Sequence, residues 1–454
     1  MKQLALLALV TAFGVGGSLV SGPFVGVLVY YLYAVLRPQF LWEWSLQPFG
    51  AHDFAWSFYV AMAAMLSTLL TATGVLRFPG SGPVPGLPKP RLGPTHVLLW
   101  MFAVHITLSF LFARNQAHSV PYYTECAKLF VMFTVATFAV LRTSQLRTLL
   151  VVVALADVFV AYEMNFHYFV SGYMFLSSQG FGGLDNNGAA LMFAMGVPVC
   201  YFLWESTRSP VRWVYVLGIA LLGHAVLLSF SRGAMLSLIL TAPLLFVFSQ
   251  RKKQIAVFLC VAAAGVVATA GPQVQERFFS ISQHDMDESA NSRKTTWAIA
   301  MKMATESPVF GFGVRNSNLY TKSYGADMEG RSIHSMYLQL AADSGWVGAG
   351  LFVALLASGW VSTFRTRMKL RGRTDDEAVR IRAICGATDC SLAVYAIGAA
   401  FLSLDTFEFP YIMLLIAAQT WGIAAVDPGP ANVVTGTVAA PRHLRWGPLA
   451  TVVR

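Results

Sequence analysis

Charged side chains are scarce in this chain of 454 residues. Asp, Glu, Lys and Arg make up 12% of it, whereas 56% of the residues are hydrophobic and the mean hydropathy is +0.58. A soluble protein carries roughly 25% charged residues. The composition therefore excludes a soluble globular enzyme and predicts a membrane protein, whose first partner is the lipid bilayer.

Cysteine is scarce as well, and the metalloprotease motif HExxH is missing. The cysteines lie inside apolar stretches, without the CxxC spacing of a zinc or redox site and without the pairing of a secreted disulfide scaffold. We therefore predict no metal and no other cofactor. We expect inert cysteines in the core or facing lipid, and these are Cys126, Cys200, Cys260, Cys385 and Cys390.

No single basic face or basic tail is evident in the sequence. The formal net charge is +10 at pH 7, but the basic residues are dispersed between apolar runs. This distribution excludes nucleic-acid binding as the meaning of the charge. The charge is better interpreted as a signal of membrane topology.

Long apolar runs, by contrast, recur along the whole chain. A helix that spans the hydrocarbon core of about 30 Å needs about 20 mostly apolar residues. The first 36 residues form either one broken span or a short hairpin, because GVGGSLVSGP interrupts them. With one broken span, the prediction is an all-α polytopic membrane protein of about 12 transmembrane helices. The other eleven windows are 54–76, 95–113, 122–141, 148–170, 188–205, 212–230, 233–250, 254–271, 346–364, 383–404 and 410–426.

Basic residues in the short loops predict the orientation, because the cytoplasmic side retains Lys and Arg. One broken span at the start puts both termini inside, whereas a hairpin gives thirteen spans and an N-terminus outside. The start MKQLALLALV resembles a signal peptide, which we interpret as a retained anchor. The basic loops that share one side when the spans alternate are 77–94, 142–147, 206–213, 251–253 and 365–382.

The loop at 272–345, on the exported side, is long and of mixed polarity. Loops of this length are usually functional or disordered, and its apolar and aromatic residues favour folding. SRKTTWAIAMKMATESP predicts an amphipathic helix stopped by Pro308, and SIHSMYLQLAADSGWVG a second helix, capped by Ser332 and ending at Gly345. The predicted domains are a transmembrane bundle, a catalytic loop, C-terminal transmembrane helices and a cytoplasmic tail, at 1–271, 272–345, 346–426 and 427–454.

His334, at the predicted start of the second loop helix, is the first candidate for chemistry. A neutral imidazole with a pKa near 6.5 can take a proton from a hydroxyl group, so His334 is a candidate general base. The alternative is a surface histidine that is hydrogen-bonded to its own loop. No catalytic triad accompanies it in the sequence.

Three arginines near the exported membrane face indicate an anion site. Arg232 begins a predicted span in SFSRGAM, where a charge is costly unless it is paired or binds a ligand. Arg293 lies at a helix start and Arg315 in a glycine-containing turn. Guanidinium groups bind phosphate oxygens through two parallel hydrogen bonds, which favours a pyrophosphate ligand. The alternatives are snorkelling to the headgroups for Arg232 and simple solvation for the other two.

Polar residues at the edges of other spans are secondary candidates. Lys128 either faces the anion cavity or neutralises Glu125, three residues earlier on the same helix face. Asp185 and Asn187 either bind sugar hydroxyls or cap the following helix. Tyr337 is a further candidate for binding the acceptor.

The order of motifs around the long loop resembles that of the O-antigen ligase superfamily. SRGAM at a helix start precedes R-x3-W (Arg293 to Trp297), P-x2-G-x-G (Pro308 to Gly313) and H-S-x-Y-L-x3-A-x2-G-x2-G (His334 to Gly348), and the likeness covers residues 180–365. The N-terminal PFVGVLVYYLYAVLRPQFLWEWSL is similar to a subgroup of O-glycosylation ligases. Many members have Asn after the histidine, where this chain has Ser335.

The resemblance implies a bacterial inner-membrane glycosyltransferase of the GT-C type with its large loop and active site facing the periplasm. Such enzymes move a glycan, the O-antigen, from undecaprenyl pyrophosphate to an acceptor hydroxyl, usually of lipid A-core, with inversion and without metal or nucleotide. On this sequence His334 would be the base, and Arg232 and Arg293 would bind the pyrophosphate. Arg315 and Lys128 are added to the pyrophosphate site from their positions alone.

Three other functions stay open on the sequence. An O-antigen polymerase and a protein O-oligosaccharyltransferase use the same donor with another acceptor. A flippase or transporter of lipid-linked glycans is expected to have inverted repeats or paired broken helices, and no such repeat is evident in the sequence.

Overall fold

The chain folds into a bundle of α-helices. The computed structural model describes residues 1–76, 90–269, 288–404 and 406–426, and within these ranges it contains helices and no β-strand. The predicted tail at 427–454, residues 272–287 of the long loop and residues 77–89 lie outside the described residues. The helices in the first half are α1 (Lys2–Ser21), α2 (Pro23–Leu36), α3 (Pro38–Leu41), α4 (Glu43–Leu46), α5 (Trp56–Ala72), α6 (Pro94–Leu111), α7 (Gln116–Ala139), α8 (Thr143–Ser171) and α9 (Phe175–Gln179). Those in the second half are α10 (Asn186–Ser206), α11 (Arg212–Leu228), α12 (Arg232–Phe248), α13 (Lys252–Thr269), α14 (Glu288–Glu306), α15 (Asn316–Tyr320), α16 (Met336–Lys369), α17 (Asp376–Gly398) and α18 (Glu408–Val426).

Six of the described helices are long and apolar enough to cross a membrane, by length and composition: α1, α6, α8, α10, α16 and α17. Four shorter apolar helices, α2, α5, α11 and α12, accompany them. Each of the eleven predicted windows overlaps one helix, which confirms an all-α, multi-pass membrane protein. The total number of crossings stays a prediction.

The first 36 residues form a helical hairpin, which is the second of the two alternatives that the sequence left open. Gly22, with φ +113°, separates α1 from α2. The Tyr33 hydroxyl lies 2.9 Å from the Thr11 hydroxyl and donates to the Leu7 carbonyl at 3.2 Å, so the two helices run antiparallel. A Cβ on Gly26 would lie 2.2 Å from the Ser18 hydroxyl, and only glycine allows this approach.

The helix α10 lies at the centre of the bundle. Every residue from Gly188 to Leu203 is buried, and α10 packs against α8, α11, α12 and α17. A helix that is apolar on all sides is expected in the interior of a membrane bundle, where neighbouring helices cover it. The outer helices expose large apolar side chains, as surfaces in contact with lipid do.

The connections between helices fall into two groups at opposite ends of the bundle. At the first, which we call the loop end, the Arg114 amide donates to Phe312 and the Met336 amide to Ala399. At the other, which we call the basic end, Arg147 donates to Thr207 at 2.8 Å and Arg208 pairs with Asp376 at 2.8 Å. The described parts of the basic loops predicted to be cytoplasmic all lie at the basic end.

The long loop packs as a small domain on the loop end. Its core consists of buried apolar residues from α14, the 308–313 turn, the segment before α16 and α16 itself: Ile299, Ala300, Met303, Phe312, Ile333 and Ala342. The helix α14 ends at Glu306, two residues before Pro308, as predicted. The second loop helix begins later than predicted, because Ser335 and not Ser332 is its N-cap.

Candidate active site at the loop end

His334 lies in a short segment that is fixed on both sides. Ile333 is buried and its carbonyl accepts a hydrogen bond from Thr296 of α14 at 3.3 Å, while the Met336 amide donates to Ala399 at 2.8 Å. His334 itself has φ +52°, in the left-handed region. Such a backbone costs about 1–3 kcal/mol in a residue other than glycine and is concentrated at functional sites. The fold therefore holds the backbone of His334 in a strained conformation.

The surroundings of His334 lower its pKa below the ordinary value of 6.5. Burial is the first cause, and the positive charges of Arg293, Arg331 and Arg315 act in the same direction, whereas the carboxylate of Asp185 raises the pKa. The imidazole is therefore neutral at pH 7 and able to accept a proton. The structure thus brings together His334, Arg293, Arg315 and Asp185, which are four of the eight residues predicted for the site.

Arg315 and Arg293 come from different parts of the long loop. Arg315 has φ +59°, precedes α15, and holds its guanidinium carbon 5.6 Å from the ring centre of Tyr122. Arg293 lies in the first turns of α14, one residue after Ser292. Both arginines lie near His334, because the apolar core of the loop packs α14 and residues 308–318 against the start of α16.

Arg331 is a site residue that the sequence reasoning missed. Its guanidinium donates twice to the Ser292 hydroxyl, at 3.1 and 2.6 Å, and lies 3.5 Å from Asp327. Ser292 precedes Arg293, so this contact ties the segment of His334 to the start of α14. The only sequence signal was its position three residues before His334, which is common for a solvated loop arginine.

Arg232 is the first residue of α12, as predicted, and lies at the loop end. The preceding Ser231 caps α12 by accepting a hydrogen bond from Ala234 at 3.4 Å. Asn186 donates to the Ser229 carbonyl at 3.0 Å and joins this turn to the start of α10. Arg232 therefore lies beside the segment that carries Asp185.

The glycines of the P-x2-G-x-G motif allow the long loop to pack closely against α16. Gly311 has φ +65°, and a Cβ there would lie 2.3 Å from the carbonyl carbon of Asp343. The amides of Phe312 and Gly313 donate to Ala342 and Asp343 at 2.9 and 2.8 Å. The second loop helix was predicted to end at Gly345; in the structure Gly345 is a non-helical kink inside α16, with φ +73°, and the P-x2-G-x-G turn fits against it.

We expect Gly311→Ala to destabilise the long loop by more than about 2 kcal/mol, because the methyl group meets backbone and the positive φ is strained. Thermal unfolding of the detergent-solubilised protein measures the effect. Gly350→Ala is the control, since Gly350 lies in α16, against which the Gly311 turn packs, and nothing lies within 4 Å of its Cβ position. Equal unfolding temperatures for the two variants would contradict this account of the motif.

Asp343 is a second residue that the sequence reasoning missed. It is buried, and its carboxylate accepts hydrogen bonds from the Ser317 amide at 2.9 Å and the Gln339 side chain at 2.7 Å. Its carbonyl accepts from Ser109 of α6 at 2.9 Å. Asp343 thus fixes α15, which follows Arg315, to α16 and to the bundle.

The other predicted site residues have structural partners. Lys128 pairs with Glu125 at 2.6 Å, and both side chains are half exposed. Asp185 caps α10 by accepting from Gly188 at 2.7 Å, so it combines a cap with a charge near His334. Asn187 donates to its neighbour Asn186, and the Tyr337 hydroxyl donates to the Ala396 carbonyl at 2.7 Å.

An apolar cavity of about 720 Å³ follows α6 between α7 and α16. It is lined mainly by apolar and aromatic side chains, including Val97, Trp100, Val104 and Phe138, and none of the candidate site residues lines it. Its chemistry suits a lipid chain better than a glycan.

These features define a multi-pass, all-helical membrane protein with a candidate catalytic site where a folded loop meets the bundle. A protein-family model described as O-Antigen ligase matches residues 217–353, less than a third of the chain. The match supports the resemblance of this segment to the O-antigen ligase superfamily. The matched segment contains Arg232, Arg293, Arg315 and His334, whereas Asp185 lies outside it. No curated protein matches the chain.

Proposed function

We propose that the protein transfers a glycan, the O-antigen, from undecaprenyl pyrophosphate to a hydroxyl of lipid A-core, with His334 as the general base. The observation that carries the proposal is the left-handed His334, fixed at the loop end with its pKa lowered and with arginines around it. A neutral base beside fixed positive charges suits an acceptor hydroxyl and an anionic leaving group at one site.

The reaction is a single displacement. The acceptor oxygen forms a bond to the anomeric carbon, its proton passes to His334, and the glycosyl-phosphate bond breaks with release of undecaprenyl pyrophosphate. Negative charge grows on the leaving group, so Arg293, Arg315 and Arg331, together with Arg232 and Lys128, stabilise the transition state more than the ground state. Attack from the face opposite the leaving group inverts the anomeric configuration.

We propose that this reaction needs no metal ion. Among the described residues, no group of three or more His, Cys, Asp or Glu side chains is placed to hold one. Asp285 and Asp287 form a D-x-D pair in the sequence of the long loop, and they lie outside the described residues. Transfer measured in EDTA is expected to equal that in Mg²⁺, and a strict need for a divalent ion would overturn this part of the proposal.

The loop end is proposed to face the periplasm and the basic end the cytoplasm of a bacterial inner membrane, because basic loops remain inside. In a Cys260→Ser background, Glu329→Cys is expected to react with a membrane-impermeant maleimide from the periplasm. Thr374→Cys, at the basic end, is expected to react only after the inner membrane is opened. Both positions are exposed. The reverse pattern of labelling would contradict this orientation.

Acceptor choice is tested by offering one acceptor at a time to purified protein with a lipid-linked glycan. Lipid A-core is expected to be glycosylated. Transfer only to a second lipid-linked glycan would make the protein a polymerase, and transfer only to a polypeptide would make it a protein O-oligosaccharyltransferase. Movement of the lipid-linked glycan across the bilayer without any transfer would assign a flippase.

A further inference from the structure

Arg37 joins three segments at the loop end, and none of the candidate site residues is among its partners. It follows α2 with φ +44°, and its amide donates to Tyr33 at 2.9 Å. Its guanidinium donates to the Gly182 carbonyl and lies 3.5 Å from the carboxylate of Glu408, at the start of α18. The side chain is 16% exposed, so these contacts hold it in one place.

The segment that Arg37 contacts, residues 180–185, contains three glycines and forms a tight turn. Phe181 and Leu184 exchange backbone hydrogen bonds at 3.0 and 2.9 Å, which closes the turn. Gly182 has φ +63°, and a Cβ there would lie 2.4 Å from the Arg37 Cδ. The guanidinium therefore lies directly on the backbone of the turn, where any larger residue would displace it.

Asp185 directly follows Leu184, the residue that closes the turn. The carboxylate of Asp185 caps α10 through Gly188, and its negative charge raises the pKa of His334. The groups facing His334 are Arg293 from α14, Arg331 from its own segment, Arg315 from the start of α15, and Asp185 from the turn before α10. The position of this acidic group thus depends on a turn that Arg37 holds.

We propose that Arg37 is a positioning residue for the glycosyl transfer: it fixes the 180–185 turn so that Asp185 faces His334, without touching the substrate. The proposal rests on the proposed function, because His334 is taken as the base. Asp185 in turn stabilises the positive charge that the imidazole gains when it takes the proton.

The first test compares pH profiles of transfer for wild type, Arg37→Gln and Asp185→Asn. The loss of Asp185 from its place lowers the pKa of His334, so the acid limb is expected to move to lower pH by about half a unit in both variants. kcat is expected to fall about tenfold, with KM for the donor unchanged. The double variant is expected to match Asp185→Asn alone, and additive shifts would overturn the proposal.

Three further variants separate positioning from folding. Arg37→Lys keeps the charge but not the planar fork and is expected to restore at most part of the rate. Gly182→Ala is expected to reproduce the shift in pH profile, since it displaces the same turn. Arg208→Gln removes an exposed arginine of the basic end and is expected to leave the profile unchanged. A shift of the profile in Arg208→Gln equal to that in Arg37→Gln would overturn the proposal.

A readout independent of transfer separates this proposal from the proposed function. Diethyl pyrocarbonate modifies neutral imidazoles, so the pH dependence of His334 modification, followed by mass spectrometry of its peptide, reports its pKa. Arg37→Gln and Asp185→Asn are expected to shift this curve equally to lower pH. An unshifted curve in Arg37→Gln overturns the positioning role even if transfer occurs. Absence of transfer in wild type overturns the proposed function and leaves this curve as the test.

Discussion

His334→Ala is expected to lower the rate of glycan transfer by about 10²–10⁴-fold, the contribution typical of a positioned general base. The protein is expected to insert and to bind the lipid-linked donor as wild type does, because the arginines proposed to bind the pyrophosphate are unchanged. Initial rates in reconstituted liposomes and binding of radiolabelled donor measure the two effects separately.

The wild-type rate is expected to be flat around neutral pH and to fall only below about pH 6.5, since the pKa of His334 is lowered.

Ser332→Ala is the matched control for His334→Ala. Ser332 lies two residues before His334 in the same segment, and the N-cap residue of α16 is Ser335, not Ser332. Its loss is expected to leave the rate within about twofold. If His334→Ala retained transfer close to that of Ser332→Ala, His334 would have no part in the mechanism.

Arg293→Ala is expected to lower kcat by about 10²–10³-fold, because a fixed positive charge on the leaving pyrophosphate is lost. The same change also removes the charge that, after burial, contributes most to lowering the pKa of His334. The acid limb of the pH profile is therefore expected to move to higher pH, opposite to the shift expected for Arg37→Gln. Arg293→Lys is expected to retain the position of the limb but only part of the rate.

Lys294 provides the control for Arg293. It is the next residue of α14 and is exposed. Lys294→Ala removes the same charge from the chain and is expected to change neither the rate nor the pH profile. The role given to Arg293 fails if the two variants behave alike, because the effect would then come from net charge alone.

The helices were predictable from the sequence because a membrane imposes a simple condition on them. Each crossing requires about 20 apolar residues whose backbone groups are satisfied within the helix. Eleven windows chosen on this basis overlap eleven helices. The hairpin of α1 and α2 was left open because it depends on Gly26 approaching Ser18, a contact that hydropathy does not encode.

The site was predictable only where a motif marked it. His334, Arg293 and Arg315 stand in ordered motifs, and the structure brings their charges together. Arg331 and Arg37 stand in no motif, and their positions follow from hydrogen bonds to Ser292 and Gly182, which are 39 and 145 residues away in sequence. Such contacts depend on the packing of the loop and bundle, which local residue patterns do not specify.

The left-handed backbone at His334 could not be predicted from the sequence pattern either. Ser332 has the residue type of a good N-cap, and the pattern therefore predicted a helix beginning before His334. In the structure the Met336 amide donates a hydrogen bond to the carbonyl of Ala399, the residue that follows α17. Ile333 is buried in the core of the long loop. These tertiary contacts outweigh the local preference and leave His334 outside the helix.

The most direct test of the proposed reaction is the stereochemistry and stoichiometry of transfer by purified wild-type protein. With an undecaprenyl-pyrophosphate glycan and lipid A-core as the only substrates, we expect one undecaprenyl pyrophosphate released per glycan joined. NMR of the product is expected to show an anomeric configuration opposite to that of the donor. A retained configuration, or donor that is never consumed in the presence of lipid A-core, would contradict a direct displacement by this enzyme.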